Sequence, residues 1–272
     1  MTSPLPKISL CITTKNRFDD FLSESLDSYI ELVKKDIIDE IVICDENGND
    51  FQKINEKYSG LIDNGFKLRV FKNNKNLGVF LNKLKVCKMA NNECIALIDS
   101  DNFVDEAYFT KVKEYMSNTT FPEHYIISPS FGRPHDGMDF RKYSGTVTHK
   151  YNIRDYIVIP KDDTAVWNIP LMWNICFISL LNMGNYVLSK NIVHRIEHDP
   201  NLLQKIAGCD VMYFNYLVFR QIPECDFKFH IVEGLEYDHR VHDGSLQRQE
   251  SEVANEMLWE HLVNWYRHEV YK

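Results

Sequence analysis

Apolar runs that alternate with amphipathic segments constrain the fold of this chain more than any other feature of its sequence. Residues 41–44 (IVIC) and 95–98 (IALI) are continuously apolar, as strands covered on both faces of a sheet must be. Between such runs, apolar residues recur at helical spacing. The pattern predicts strands at 7–14, 39–47, 66–73, 93–101 and 124–130, and helices at 18–35, 50–63, 79–90 and 105–116. Strands that alternate with helices predict β-α-β units, and therefore an α/β fold with a mostly parallel sheet flanked by helices.

The regular alternation ends near residue 130. Residues 131–145 are rich in Gly, Pro and charge, which is typical of a loop, and residues 145–175 have no clear period. Helical patterning returns at 186–197, 210–221 and 250–270, and residues 227–237 predict a further strand. We therefore expect one domain over residues 1–272, in which residues 1–130 form a nucleotide-binding half and residues 131–272 form a smaller β/α portion that completes the cleft and ends in a C-terminal helix.

Charge and cysteine content exclude several classes of protein. The 272 residues include 31 Lys and Arg against 39 Asp and Glu, for a net charge of −8, whereas nucleic-acid-binding proteins present a basic field. The seven cysteines include no C-x-x-C pair and several lie in apolar runs, which is typical of reduced thiols in the cytoplasm. No apolar run reaches the roughly 18–20 residues of a membrane span. We therefore expect a cytoplasmic protein with no nucleic-acid partner and no membrane span.

Two carboxylates, Asp99 and Asp101, follow the apolar run 95–98 at the predicted end of a strand. Ligands of open α/β sheets bind beyond the carboxyl ends of the strands. Crowded carboxylates at such an end are typical of a site for a hard divalent cation, because the cation offsets their mutual repulsion. The residues alone leave open a simpler interpretation, in which the acidic turn only caps the next helix.

Four motifs in order make residues 7–105 resemble glycosyltransferase family 2, whose members have the GT-A (Rossmann-like) fold. They are the opening strand and turn CITTKNR (11–17), the strand IVICDEN (41–47), the turn NKNLGVFLNK (74–83) and the D-x-D segment ALIDSDN (96–102). One departure is visible, because Lys83 and Leu84 stand where the family often has an Arg-Asn pair.

The resemblance implies an inverting transferase that uses a nucleoside-diphosphate sugar, UDP by family frequency, with Mn²⁺ or Mg²⁺ as cofactor. It implies that Asp101 binds the metal directly, that Asp99 lies near the ribose or reaches the metal through water, and that Lys83 contacts phosphate. The implied nucleotide-binding residues are Thr13, Thr14, Asn16, Arg17, Asp45, Asn76, Gly78, Lys83, Asp99 and Ser100. From the residues alone, Asp45 could equally cap the following turn, and the two threonines could be sheet-edge residues.

The second half, residues 131–272, which the resemblance implies is the acceptor-binding and catalytic half, carries two further resemblances. The segment 207–219 (AGCDVMYFNYLVF) resembles the family segment that supplies the catalytic base, which implies this role for Asp210. The segment 237–246 (YDHRVHDGSL) resembles the late His-containing segment, which implies His242, with His239 as the alternate, as a metal ligand. From the residues alone, Asp210 is also a natural helix N-cap and the histidines also fit an exposed charged turn.

The leading functional hypothesis is therefore metal-dependent, inverting transfer of a sugar to an acceptor hydroxyl on a glycan, a protein or a lipid-linked sugar, with a homodimer as a further partner prediction. One alternative is a nucleotidyltransferase that forms nucleotide sugars, although residues 11–20 (CITTKNRFDD) lack the glycine that its phosphate-binding loop requires. The other is a non-catalytic module that binds a nucleotide or a glycan.

Overall fold

A computed structural model of the chain describes residues 5–133, 139–141, 147–148, 185–200, 210–240 and 242. The strands are β1 (Ile8–Thr14), β2 (Glu40–Asp45), β3 (Leu68–Lys72), β4 (Cys94–Asp99), β5 (His124–Arg133), β6 (Val147–Thr148), β7 (Val187–Ser189) and β8 (Phe227–Asp238). The helices are α1 (Ser23–Lys34), α2 (Asn49–Asp63), α3 (Val79–Met89), α4 (Glu106–Ser117), α5 (Lys190–Arg195) and α6 (Asp210–Gln221), with a π-helical turn at Phe18–Leu22 and a 3₁₀ turn at Glu224–Asp226.

The described strands form one sheet in the order β3-β2-β1-β4-β7-β5-β8-β6. β1 pairs in parallel with β2 and β4, and the pairs β2–β3 and β5–β8 are also parallel. β7 runs antiparallel between β4 and β5, and β6 runs antiparallel to β8. The predicted α/β fold with a mostly parallel sheet and flanking helices is confirmed.

The continuous apolar runs form strands that are covered on both faces. Every residue of β2 is buried, and helices α1, α2 and α3 all contact this strand. Six of the seven residues of β1 are likewise buried. Because a strand in this position meets apolar neighbours on both faces, its sequence cannot alternate between polar and apolar residues. Polar side chains are therefore confined to the ends of these strands, which is where the candidate site lies.

The helix predicted at 186–197 is wrong in its first part. Residues 187–189 form β7, and only 190–195 are helical. Leu188 pairs with Ile95 of β4 and with Ile126 of β5, and all of β7 is buried. A short, buried and largely apolar segment between two strands cannot be distinguished from one turn of a buried helix by periodicity alone.

The loop predicted over 131–145 begins later than expected. After an irregularity at Pro129–Phe131, β5 continues through Gly132 and Arg133 in register with Tyr237 and Asp238 of β8. A Cβ atom at Gly132 would lie 3.1 Å from the Tyr237 ring, so glycine lets the two strands approach closely here. Gly and charged residues at this point therefore belong to a strand end.

Several predictions lie outside the described residues, namely most of the irregular 145–175 region and the C-terminal helix at 250–270. The division of residues 1–272 into a nucleotide-binding half and an acceptor-binding half stays a prediction. In the part of the chain that the structure describes, no helix is both long enough and apolar enough to cross a lipid bilayer.

Candidate active site

The carboxyl ends of β1, β2 and β4 bring predicted site residues to one edge of the sheet. The strand register pairs Thr14 with Asp45 and Thr13 with Asp99. Ser100 follows Asp99 directly and is buried. Three of the four motifs from the first half of the sequence therefore converge at this edge, where α/β sheets bind their ligands.

Lys83 of α3 joins two of the predicted acidic residues. Its Nζ atom lies 2.6 Å from Oδ1 of Asp99 and 2.8 Å from Oδ2 of Asp210, and only 12% of the lysine side chain is exposed. Burial by itself would lower the pKa of the lysine ammonium, but the adjacent Asp210 and Asp99 carboxylates outweigh this and raise its pKa well above the usual value. Lys83 is therefore positively charged, and it lies between the end of β4 and the first residue of α6.

Asp101 and His242 form a second pair at the same edge. The Nε2 atom of His242 lies 3.0 Å from Oδ2 of Asp101, and the imidazole lies against Phe21 with ring centroids 4.8 Å apart. The other predicted histidine, His239, has its Nδ1 atom 3.5 Å from the Tyr237 hydroxyl oxygen. The geometry therefore favours His242 over His239 as the partner of the D-x-D carboxylates.

The segment that carries His242 is held against the turn after β4 by contacts that the sequence analysis missed. Phe103 and Asp238 exchange two backbone hydrogen bonds of 3.0 and 2.8 Å, and the Arg240 amide donates to Asn102 Oδ1 at 3.2 Å. The Arg240 guanidinium lies 5.8 Å from the Phe103 ring centroid and 5.9 Å from that of Phe21. The signal that could have identified Arg240 is its place between the two histidines.

The turn after β1 is organised by a buried acid that the sequence analysis also missed. Asp50, at the start of α2, accepts hydrogen bonds from the Thr14 hydroxyl at 2.5 Å and from the Arg17 and Phe18 amides at 2.9 and 3.2 Å. The side chain of Thr14 thus has an internal partner. Asn16, which has a positive φ of 56°, is held separately, because its Oδ1 accepts from the side-chain amides of Asn47 and Asn49.

Asp45 has the role of a cap in the structure. The residue is fully buried, and its carboxylate accepts hydrogen bonds from the Asn47 amide at 3.2 Å and from the Phe51 amide at 2.8 Å. These contacts match the capping alternative, and nucleotide binding by Asp45 stays a prediction.

The turn that contains Asn76 and Gly78 is held by a third buried acid, Glu46. One of its carboxylate oxygens accepts from the Leu77 and Gly78 amides at 2.5 and 2.7 Å, and the other accepts from the Asn73 side-chain amide at 2.7 Å. Gly78 has a φ of 79°, in the region that favours glycine. Both turn amides are thus directed at a protein carboxylate, so a nucleotide contact by this turn would have to use other atoms.

A divalent cation fits the Asp101–His242 pair. Carboxylate oxygen and imidazole nitrogen together suit Mn²⁺, and such ions keep open positions for water and for substrate phosphate. Among the described residues, no group of three or more His, Cys, Asp or Glu side chains is arranged to hold a metal. The carboxylate of Asp99 contacts Lys83 instead of this pair. Among the described residues, the side chains brought together as possible metal ligands are therefore Asp101 and His242.

Residues 9–167, more than half of the chain, match the sequence profile of glycosyl transferase family 2. The chain belongs to this family. The matched range includes the turn after β1, the end of β2, the Asn76–Gly78 turn, Lys83 and the D-x-D segment, and it ends before Asp210 and His242. A comparison with curated protein sequences gives no match.

Solved structures of GT-A proteins share the fold of this family 2 chain at low sequence identity. S. aureus TarS 1–349 in complex with UDP-GlcNAc has a TM-score of 0.55 at 13% identity, over 89% of this chain and 60% of that one. The mannosyltransferase PcManGT from Pyrobaculum calidifontis, in complex with GDP-Man and Mn²⁺, has a TM-score of 0.55 at 13% identity, over 91% of this chain and 61% of that one. The mannosyl-3-phosphoglycerate synthase from Rubrobacter xylanophilus has a TM-score of 0.55 at 13% identity, over 95% of this chain and 74% of that one. The chain thus spans about 60% of the length of the TarS 1–349 and PcManGT chains. At this identity the likeness shows the fold alone.

Proposed function

We propose that the chain is a glycosyltransferase that moves a sugar, with inversion, from a nucleoside-diphosphate sugar to an acceptor hydroxyl, and that the transfer depends on Mn²⁺ or Mg²⁺. The observation that carries this proposal is the convergence of two pairs, Lys83–Asp210 and Asp101–His242, at the carboxyl edge of the sheet in a family 2 chain. UDP is the default nucleotide, and the acceptor is a glycan, a protein or a lipid-linked sugar. The TarS complex with UDP-GlcNAc and the PcManGT complex with GDP-Man support this donor class.

The proposed donor site lies along the ends of β1, β2 and β4. Thr13, Asn16, Arg17 and the backbone around Asp45 would line the nucleoside, and Asp99 and Ser100 would approach the ribose. Thr14, Asp45, Asn76 and Gly78 belong to this site by family pattern, but their observed partners give them a supporting role in holding the turns. Held by Asp50 and Glu46, these turns keep one shape before the donor arrives, which lowers the entropy lost on binding.

Asp101 and His242 would hold the cation, which when bound neutralises the charge that grows on the departing diphosphate. Their separation of 3.0 Å allows both to contact one ion after a small adjustment. His239 remains the alternate ligand of this proposal. Asp99, two residues before Asp101, would reach the cation through water.

Asp210 would accept the proton of the acceptor hydroxyl. As the hydroxyl oxygen forms its bond to the anomeric carbon, the bond between that carbon and the diphosphate oxygen breaks on the opposite face, and the diphosphate leaves with the electron pair. Direct displacement needs no protein nucleophile, so a carboxylate base and a stabilised leaving group suffice. The Asp210 side chain keeps 14% of its surface exposed.

Thermal-shift measurements with UDP- and GDP-sugars, each with and without MnCl₂, test the donor class. We expect stabilisation by at least one nucleotide sugar that increases with MnCl₂, together with slow release of nucleoside diphosphate in the absence of acceptor. Binding without any release of nucleoside diphosphate would favour the non-catalytic module instead. Consumption of a nucleoside triphosphate and a sugar phosphate would favour the nucleotidyltransferase.

A further inference from the structure

Lys83 is a single cation shared by two carboxylates that the proposed reaction uses for different purposes. Asp99 ends β4 in the D-x-D segment, and Asp210 begins α6 more than a hundred residues later. The lysine Nζ is 2.6 Å from the first and 2.8 Å from the second. The group that faces the donor and the group that faces the acceptor are therefore connected through one ammonium.

The contact with Asp210 is an ion pair without a well-aligned hydrogen bond. Oδ2 of Asp210 is buried, and within the described residues it has no hydrogen-bond partner of acceptable angle, although the lysine nitrogen is 2.8 Å away. The ammonium therefore holds this carboxylate mainly by charge, and a shift of the lysine side chain would break the contact without breaking a well-aligned hydrogen bond to Oδ2.

The surroundings of Asp210 are mostly apolar. Lys83 and Asp210 line one narrow cavity together with Phe80, Leu84 and Phe214. The Lys83 ammonium is the cation that contacts this carboxylate. When Lys83 moves away, Oδ2 of Asp210 therefore becomes free to accept a hydrogen bond from an acceptor hydroxyl.

A nucleoside diphosphate would compete for Lys83. The ammonium has three N–H donors on a flexible four-carbon stem, and it can turn toward a new anion without moving the backbone of α3. A diphosphate at the D-x-D segment would bring more negative charge than one carboxylate to the neighbourhood of Asp99.

We infer that Lys83 is a positioning residue that couples donor binding to the base: it is paired with Asp210 in the free protein and turns to the diphosphate when the donor binds. The release leaves Asp210 as an unpaired carboxylate that takes the proton of the acceptor hydroxyl. The ammonium then lies with the diphosphate that leaves with the electron pair of the broken bond. This inference rests on the proposed function, since it assumes a diphosphate donor and a base at Asp210.

A double-mutant cycle with and without nucleotide tests the exchange of partners. Melting temperatures are measured for wild type, Lys83→Met, Asp210→Asn and the double variant, first alone and then with UDP or GDP and MnCl₂. Lys88→Met, an exposed lysine of the same helix, is the matched control for loss of charge. Without nucleotide we expect Lys83→Met to lower the melting temperature by about 5 °C through loss of a partner for two partly buried carboxylates, and Asp210→Asn to recover part of this loss. With nucleotide and manganese we expect the coupling between the two sites to disappear.

The outcomes separate this inference from the proposed function. Coupling that is absent in the free protein, or that is unchanged by a nucleotide which does bind, overturns the exchange of partners and leaves the donor class standing. Failure of every nucleoside diphosphate to stabilise the wild type contradicts the proposed donor class and the exchange with it, even where the coupling between Lys83 and Asp210 in the free protein is intact.

The variant Lys83→Arg distinguishes positioning from simple structural support. Arginine keeps the charge, but its fork binds a carboxylate with two parallel hydrogen bonds and releases it less readily. We expect the melting temperature to be retained and kcat to fall, by about tenfold if release becomes 1.4 kcal/mol harder, with less change in the KM for the donor. A higher donor KM with unchanged kcat would reduce Lys83 to a phosphate contact and overturn the inference.

Discussion

The Nε2 atom of His242 lies 3.0 Å from Oδ2 of Asp101, although 141 residues separate them in the sequence. The contact closes a loop from the far end of the described chain back to the turn after β4. Arg240 lies between the Phe21 and Phe103 rings and holds the segment that leads from the end of β8 to His242. An imidazole and a carboxylate at this separation can form a hydrogen bond in the free protein and can both contact a metal ion when one is bound.

Replacement of His242 by Ala tests its proposed role. We expect the affinity for UDP or GDP with MnCl₂ to fall by about tenfold or more, since even the outer partners of metal ligands are worth about 10–100-fold. Affinity for the free nucleoside should change little, because the nucleoside lies at the β1 and β2 ends. Isothermal titration calorimetry of both ligands measures this, and His194→Ala, at an exposed histidine of α5, is the matched control. Equal losses for nucleoside and diphosphate would remove His242 from the metal site.

Replacement of Asp101 by Asn removes charge and keeps shape. We expect the additional stabilisation by manganese to be lost, while the free protein melts near the wild-type temperature, because this side chain is 24% exposed and an amide oxygen can still contact His242. Thermal shift with a nucleoside diphosphate, with and without MnCl₂, measures both effects. Asp63→Asn, at the exposed end of α2, is the control. Manganese-dependent stabilisation that survives in D101N would exclude this carboxylate as a ligand.

The ends of β1, β2 and β4 could be predicted from the sequence because long apolar runs mark the strands and acids mark where they stop. Glu46 and Asp50 could not be identified, since acids in a turn such as DENGND usually face water. Only the fold shows that the backbone amides around Arg17 and Gly78 point at these two carboxylates. The contacts of Lys83 with Asp99 and Asp210 could not be predicted for a different reason. The position of α6 relative to α3 depends on tertiary packing, which local sequence patterns do not encode.

Replacement of Asp210 by Asn tests the base. Transfer to acceptor should fall by about 10²–10⁴-fold, the usual contribution of a positioned general base, while donor affinity should not fall and should rise where Lys83 no longer has to leave Asp210. Steady-state kinetics with a transferred sugar and calorimetry with the donor separate the two quantities. Glu197→Gln is a suitable control, because this exposed acid is the next candidate for the catalytic base if Asp210 is not that base. Turnover near the wild-type rate in D210N would reduce Asp210 to a helix cap.

Replacement of Asp50 by Asn tests the support of the turn after β1. The carboxylate accepts three hydrogen bonds in a buried position, and an amide has one acceptor oxygen and adds two N–H donors. We expect unfolding free energy to fall by about 2–3 kcal/mol and donor affinity to fall as well, because Asn16 and Arg17 lie in this turn. Thr14→Val removes one of the three bonds and should cost less. Urea unfolding gives the comparison, and equal stability of D50N and wild type would contradict this role.

The pH dependence of stability should contain a contribution from His230 of β8. This residue is 1% exposed, its Nδ1 lies 3.1 Å from the Tyr115 hydroxyl oxygen, and its Nε2 has no hydrogen-bond partner among the described residues. Burial, assisted by the nearby Lys228 ammonium, lowers the pKa of the imidazole from its ordinary 6.5 to about 4. Above pH 6.5 the imidazole is neutral in the folded and unfolded chains alike, so this contribution is constant there.

As the pH falls from 6.5 toward 4, the unfolded chain takes up a proton at His230 that the folded chain does not, so stability is lost across this window. The slope is about 1.4 kcal/mol per pH unit and the total loss is about 3 kcal/mol. In His230→Asn, whose amide can still contact Tyr115, the unfolding free energy should decline less between pH 7 and pH 4.5 than in wild type. Urea unfolding at several pH values measures the difference, with His124→Asn as a control on the neighbouring strand β5. Parallel pH curves for wild type and H230N would show that the imidazole takes up its proton equally in both states.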